Sequence, residues 1–210
     1  MKNLYIVGAG GFGREVYAWL QHLPAKGVDW ELRGFLDDNL NALNGFEYDL
    51  RVVGAVMDFE PTHDDLFVCG IGSVAAKRRS CQHLLERGAR FFTLVHPTAL
   101  VGANVVLGEG VVLCPRVTVT CDVQIGAMTM VNCHSTIGHD ASIGAWSTIS
   151  AHCDLTGFTR VGEGSFLGSG ARVIPGKTVG SGAVVGAGSV VIRSVADGRK
   201  VFGNPAREFA

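Results

Sequence analysis

The sequence predicts two structural units in one chain: a small parallel α/β domain, then a parallel β-helix built from hexapeptides. Three observations carry this. Every sixth residue from Val95 to Val191 is Val, Leu or Ile, seventeen positions without a slip, and a branched aliphatic at a fixed period of six marks a hexapeptide β-helix. Ahead of Val95, short apolar runs alternate with helical stretches, the pattern of a parallel sheet. The first of those runs ends in Gly8-Ala9-Gly10-Gly11-Phe12-Gly13, a glycine turn between strand and helix.

The elements of the first unit, residues 1–94, follow in order. Leu4–Val7 is a strand running into the glycine turn. Arg14 to about Leu23 is a helix with Val16, Trp19, Leu20 and Leu23 on one face. Pro24 to Asp29 is a loop, Leu32–Leu36 a second strand ending at Asp37-Asp38, and Val52-Val53-Gly54 a weak edge element. Leu66–Cys69 is a further strand ending at Gly70-Ile71-Gly72, Ala75–Arg87 a helix, and Phe91–Val95 a last strand. A ligand of such a sheet binds outside the carboxyl ends of its strands. Gly8–Gly13, Asp37-Asp38 and Gly70–Gly72 all fall at those ends.

In the second unit, residues 95–196, each hexad reads as a short strand and a corner. The aliphatic anchor points inward, and so does the small or β-branched residue four places after each anchor (Ala99, Val105 and Val111 through Ser147), with Lys177 the clear exception. Gly follows the anchor directly at Gly102, Gly126, Gly138 and six further positions, which suggests that glycine supplies the backbone angles of a tight corner. Residues 197–210 leave the repeat and read as the cap that an open solenoid end requires.

Composition narrows the function. Charged residues are 18% and the net charge is −1, so the basic footprint of a nucleic-acid binder is missing. No apolar run reaches the roughly 18 residues of a membrane span. The N-terminus does not read as a signal peptide, and the six cysteines contain no CxxC. Together these give the expectation of a cytoplasmic protein with reduced thiols.

Two places carry chemistry. The exposed N–H groups of Gly8-x-Gly10-x-x-Gly13 suit a phosphate, and Asp37 suits a ribose hydroxyl. The unit is about half a dinucleotide-binding fold, so a nucleotide or nucleotide-sugar is favoured over a dinucleotide, with a merely structural turn as the alternative. Lys77, Arg78 and Arg79 on the second helix read as a solvated face, with a diphosphate contact as the alternative. In the solenoid, three hexads make one coil, so His139 stacks over Cys121 and under Gly157, and His134 stacks under His152. His139 followed by Asp140 is the pair expected of a general base oriented by a carboxylate, with the Gly157 N–H as an oxyanion donor. The same residues also fit plain corners. A zinc site is a third reading: His134 and His139 are five apart, as in hexapeptide-repeat carbonic anhydrases. It needs a third His near Thr98, however, and His96 is off by two.

With both halves in view, the chain resembles the sialic-acid O-acetyltransferase/sugar N-acetyltransferase family of left-handed β-helix acyltransferases, which includes bacterial enzymes acting on nucleotide-linked 4-amino-4,6-dideoxy sugars. Four stretches carry the resemblance: Ile6 to Glu15, Gly34-Phe35-Leu36-Asp37-Asp38, the hexads with Ile137-Gly138-His139-Asp140, and Gly203-Asn204-Pro205-Ala206-Arg207. It implies a Rossmann-like first domain, and a homotrimer with acetyl-CoA in the cleft between neighbouring β-helices. His139 and Asp140 are then the catalytic pair, with Gly157 beside them. The nucleotide lies against Gly8, Gly10, Gly11, Phe12, Asp37, Asp38 and Gly70. Pro205, Arg207 and the coils around Gly168 and Ala187 lie along CoA. Some relatives carry a second His nine positions after the first that helps hold acetyl-CoA; here that position is Thr148. The implied reaction is N-acetylation of the sugar amine without a metal. O-acetylation of a sugar such as sialic acid is the alternative, and a non-catalytic nucleotide-binding scaffold the alternative of another class. Trp146, at the next corner from His139, fits either a pocket wall or a subunit contact.

Overall fold

The computed structural model describes residues 1–24 and 29–209. The chain divides into two compact units, residues 1–93 and 94–210. In the first, strands β1 (Lys2–Val7), β2 (Trp30–Leu36), β3 (Val52–Gly54) and β4 (Asp65–Cys69) form a parallel sheet in the order β3-β2-β1-β4. Leu4, Ile6, Phe35, Leu36 and Phe67 are fully buried in it, the near-continuous apolar strands expected of a sheet covered on both faces. Helix α1 (Gly11–Leu20) buries Gly13, Val16, Trp19 and Leu20, and α2 (Val74–Glu86) buries Lys77, Ser80, Cys81 and Leu84.

Three sequence expectations shift here. Helix α1 begins at Gly11 rather than Arg14 and stops at Leu20, leaving Leu23 half-buried beyond it. Of the expected Pro24–Asp29 loop, residues 25–28 lie outside the described residues. The expected strand Phe91–Val95 is divided: Phe91 makes a single bridge to Phe67, whereas Leu94–Val95 pairs with Val112–Leu113 and opens the solenoid.

The second unit is a parallel β-solenoid of two-residue strands from β5 (Leu94–Val95) to β21 (Val190–Val191), on three sheets. Gln124 pairs with Ser142 and Thr136 with Asp154, so each strand lies in register with the one three hexads on. Every anchor from Leu113 to Val191 is at most 4% exposed, while Val101, in the first coil, is 42% exposed. The inward hydroxyls form a ladder of their own. Thr129, Ser135, Ser147 and Ser165 each donate to the carbonyl fifteen residues on, at 2.7–2.9 Å. Thr159 occupies the same slot, and among the described residues its Oγ1 is the one buried side-chain polar atom without a partner. The solenoid closes with β22 (Lys200–Phe202), parallel to Val184–Val185 and antiparallel to β23 (Arg207–Glu208).

The corner glycines act differently from the expectation. The left-handed residue is the third after the anchor, not the first. It is Asp140 (φ 57°), Trp146 (63°) or Phe158 (58°) in the middle coils, and glycine in most of the later ones. The glycine directly after the anchor is there for space: a Cβ on Gly138 would lie 2.6 Å from the Gly157 nitrogen of the next coil. Coils stack at about 4.8 Å, which leaves no room for a side chain between their backbones.

Candidate active site

In the first unit, all seven residues predicted for substrate (Gly8, Gly10, Gly11, Phe12, Asp37, Asp38 and Gly70) line one cleft of about 490 Å³. The glycines divide into two kinds. A Cβ on Gly70 would meet the Gly13 Cα at 2.7 Å, and one on Gly13 would collide with the Gly8 carbonyl; these glycines let β1, β4 and α1 approach one another. A Cβ on Gly10 would meet nothing within 4 Å, and one on Gly11 only the Arg14 guanidinium at 4.0 Å. Gly10 is the N-cap of α1, with no side-chain cap and no acidic residue in the first turn. The first N–H groups of the helix therefore meet neither a side-chain acceptor nor a local carboxylate.

The aspartates are tied to the backbone. Asp37 Oδ2 accepts from the Ala9 N–H at 2.8 Å and Oδ1 from the Asn39 N–H at 2.9 Å. Asp38 Oδ1 accepts from the Val56 and Met57 N–H groups at 2.9 and 3.3 Å. Asp37 thus pins the glycine turn to the end of β2, a structural task that the sequence reading did not assign to it. Arg79, expected on a solvated face, is exposed there and also lines the cleft with Ser80. Lys77, from the same run, is 1% exposed.

In the second unit, the His139 Nδ1 lies 2.8 Å from Asp140 Oδ2. A carboxylate only accepts, so Nδ1 carries a proton, and in the neutral ring Nε2 is then the nitrogen with the lone pair. The imidazole packs on Gly157, where a Cβ would lie 2.6 Å from both Cε1 and Nε2. Phe158 closes another side, its ring perpendicular to the imidazole (89°) at 5.1 Å. Phe158 was missed from the sequence, although it follows Asp140 by one full coil and the coil arithmetic places it there. His134 and His152 stack face to face at 4.9 Å and 7°. Parallel rings do not converge their lone pairs, and among the described residues no three His, Cys, Asp or Glu side chains are grouped to hold a metal. His96 hydrogen-bonds Thr98 within its own turn.

Pro205 and Arg207 line a second cleft, of about 380 Å³, with Arg193 and Arg199. Gly168 and Ala187 lie on successive coils, where a Cβ on Gly168 would come 2.6 Å from the Ala187 nitrogen. Thr148 is 1% exposed, so its side chain is under cover rather than on the surface.

Comparison with known proteins agrees with this layout. The model of the PglD N-terminal domain matches residues 3–84, and that of the hexapeptide repeat of succinyl-transferase matches residues 159–193. The acetyltransferase domain of PglB from Neisseria gonorrhoeae FA1090 superposes with a TM-score of 0.89 at 30% identity, over 100% of both chains. The chain belongs to the sialic-acid O-acetyltransferase/sugar N-acetyltransferase family of β-helix acyltransferases. That PglB domain has also been solved in complex with acetyl coenzyme A. A second family structure, PerB from Caulobacter crescentus in complex with CoA and GDP-perosamine, superposes with a TM-score of 0.86 at 29% identity, over 100% of this chain and 98% of PerB. The family member UDP-N-acetylbacillosamine N-acetyltransferase of Bacillus subtilis (strain 168) is 34% identical over 115 residues, 54% of this chain. The match spans about half of that protein, 51% of its length. Among the described residues no helix is long and apolar enough to cross a membrane.

Proposed function

We propose that the protein is an acetyl-CoA-dependent N-acetyltransferase acting on the amine of a nucleotide-linked amino sugar of the 4-amino-4,6-dideoxy type, and that it works as a homotrimer. The observation that carries the reading is the His139–Asp140 pair, 2.8 Å apart and packed on a glycine whose backbone faces the imidazole, in a chain of this family.

Acetyl-CoA supplies the activated acetyl group as a thioester. His139 Nε2 takes the proton from the attacking amine as the C–N bond forms. Asp140 holds the Nδ1 tautomer and faces the imidazolium that results. The Gly157 N–H donates to the oxyanion that develops on the acetyl oxygen; among the described residues it donates to no carbonyl. As the C–S bond breaks, His139 returns its proton to the departing sulfur, so CoA leaves as the thiol and the amide remains on the sugar. Fixing both reactants at one corner removes much of the entropic cost of a two-substrate reaction.

The second cleft supports CoA as the partner. Arg193 occupies the place in its hexad that His139 occupies, nine hexads or three coils further along, roughly 14 Å away at about 4.8 Å per coil. With Arg207 it leaves the cleft net positive after Arg199 pairs with the lining Glu208 at 3.0 Å, which suits the phosphates of CoA.

The test is release of free thiol from acetyl-CoA with UDP- and GDP-linked 4-amino-4,6-dideoxy sugars, CMP-sialic acid and free sialic acid as acceptors. The expected result is rapid release with an amino sugar and a product that survives mild alkali, as an amide does. His139→Ala is expected to lower kcat by roughly 10²–10⁴. An alkali-labile product would move the reaction to a hydroxyl. A loss below about threefold in His139→Ala would remove His139 from the base role.

A further inference from the structure

Phe158 is an aromatic residue in a place that neither the backbone nor the core accounts for. It is 57% exposed, although its ring stands perpendicular to the His139 imidazole at 5.1 Å. Asp140, Phe158 and Gly176 follow one another at the same corner, one per coil, and all three are left-handed (φ 57°, 58° and 68°). The Phe158 N–H donates to the His139 carbonyl at 2.9 Å and the Gly176 N–H to the Gly157 carbonyl at 3.0 Å, which fixes that succession. Asp and Gly suit a positive φ, whereas a bulky aromatic is strained there. Burial does not repay the strain, because much of the side chain is outside the core. Such strain is held where a site uses it. One coil further on the corner is open, since a Cβ on Gly176 would meet nothing within 4 Å. Going from His139 toward Arg193, the corner is therefore narrowed by the Phe158 ring and clear at Gly176.

We propose that Phe158 sets the length of the acyl group that this site transfers. In the reaction above, the carbon under attack carries four groups. Its oxygen faces the Gly157 N–H, the incoming nitrogen faces His139 Nε2, and the sulfur leads along the coils toward Arg193. The fourth group is the acyl chain. Phe158 is the bulky side chain beside it, next in sequence to the oxyanion donor and packed against the base. Its ring ends the pocket after one methyl group and gives that methyl an apolar wall. A longer chain would need the space the ring occupies, and a charged one would lose its water against it. The inference rests on the acetyltransferase reading above.

The experiment measures kcat/KM for acetyl-, propionyl-, butyryl- and succinyl-CoA by thiol release, with UDP- and GDP-linked 4-amino-4,6-dideoxy sugars as acceptors. It compares wild type with Phe158→Asn and Phe158→Gly, both of which suit the left-handed backbone, and records melting temperature and subunit number for each. Wild type is expected to prefer acetyl-CoA to propionyl-CoA by at least about tenfold, the usual scale for one misplaced methylene, and to discriminate further against the other two. Both variants are expected to fold without a lower melting temperature and to shrink the acetyl-to-propionyl preference to below about threefold. A ring that only steadied His139 would, once removed, lower the rate with every acyl-CoA alike. Preference left intact in the variants, or absent in wild type, would overturn the assignment of Phe158 and leave the acetyltransferase reading standing. Loss of folding or of the trimer in both variants would make the ring a structural contact and overturn it too. Failure of wild type to release thiol from any of the four would overturn that reading, and this inference with it.

Discussion

The His139 imidazole fills the space that a side chain at residue 157 would need: a Cβ on Gly157 would lie 2.6 Å from both Cε1 and Nε2 of the ring. Gly157 is not among the left-handed residues, so alanine suits its backbone and only the imidazole must give way. Gly157→Ala is therefore expected to fold normally and to lower kcat by about 10²-fold, the cost of an ångström-scale misplacement of a reacting group. Circular dichroism and thiol-release kinetics on the same preparation decide it. Full activity would show that the imidazole has another productive position.

Asp140 carries two tasks that one substitution separates. Its carboxylate accepts from His139 Nδ1, and its backbone is left-handed, with φ 57°. Asn tolerates that conformation and Ala much less so. Asp140→Asn is expected to keep the melting temperature within a few degrees and to lower kcat by about 10- to 10³-fold, because an amide holds the wrong tautomer half of the time and faces no charge toward the imidazolium. Asp140→Ala should add a loss of stability. Equal melting temperatures for the two variants would remove the backbone part of the argument.

The hydroxyl ladder predicts opposite outcomes for two similar changes. Ser147 Oγ donates to the Gly162 carbonyl and accepts from the Ser165 N–H, so Ser147→Ala leaves buried groups unpaired and is expected to cost about 1–3 kcal/mol. Thr159 Oγ1 is buried without a partner, so Thr159→Val, equal in shape, is expected to be neutral or to stabilise. Chemical denaturation of the two variants against wild type is the measurement. A cost at Thr159 equal to that at Ser147 would mean that its hydroxyl finds a partner after all.

Lys77 gives the first unit a pH signature. Burial brings its ammonium down from 10.5 to about 8, against the opposing pull of Cys69 and Cys81. Between pH 8 and 10.5 the unfolded chain holds a proton that the folded one has released, so stability from this residue rises with pH through that window. Below pH 8 both states are protonated and the full cost of the buried charge is present. Relative to Lys77→Met, wild type is expected to gain up to a few kcal/mol from pH 8 to 10.5 and nothing between pH 6 and 7.5. A difference that stays flat across the window would place the ammonium in contact with solvent.

Most of the second unit was legible in its repeat. A period of six closes a coil every three hexads, and in a solenoid the neighbour in space is the residue one coil away. Simple arithmetic therefore put His139 beneath Gly157 and His134 beneath His152, as the structure shows. The first unit was legible as elements and strand ends, because apolar runs and glycine turns announce themselves locally. Packing between elements settled how single groups are spent. It tied the Asp37 carboxylate to the Ala9 N–H, turned Arg79 toward the cleft and buried Lys77 beside it on the same helix. It also gave Leu94–Val95 to the solenoid, and assigned the corner glycines to close backbone approach rather than to left-handed angles. These choices depend on which side-chain atom meets which backbone atom across elements far apart in the chain. No period in the sequence encodes that, because it is settled only when the elements pack.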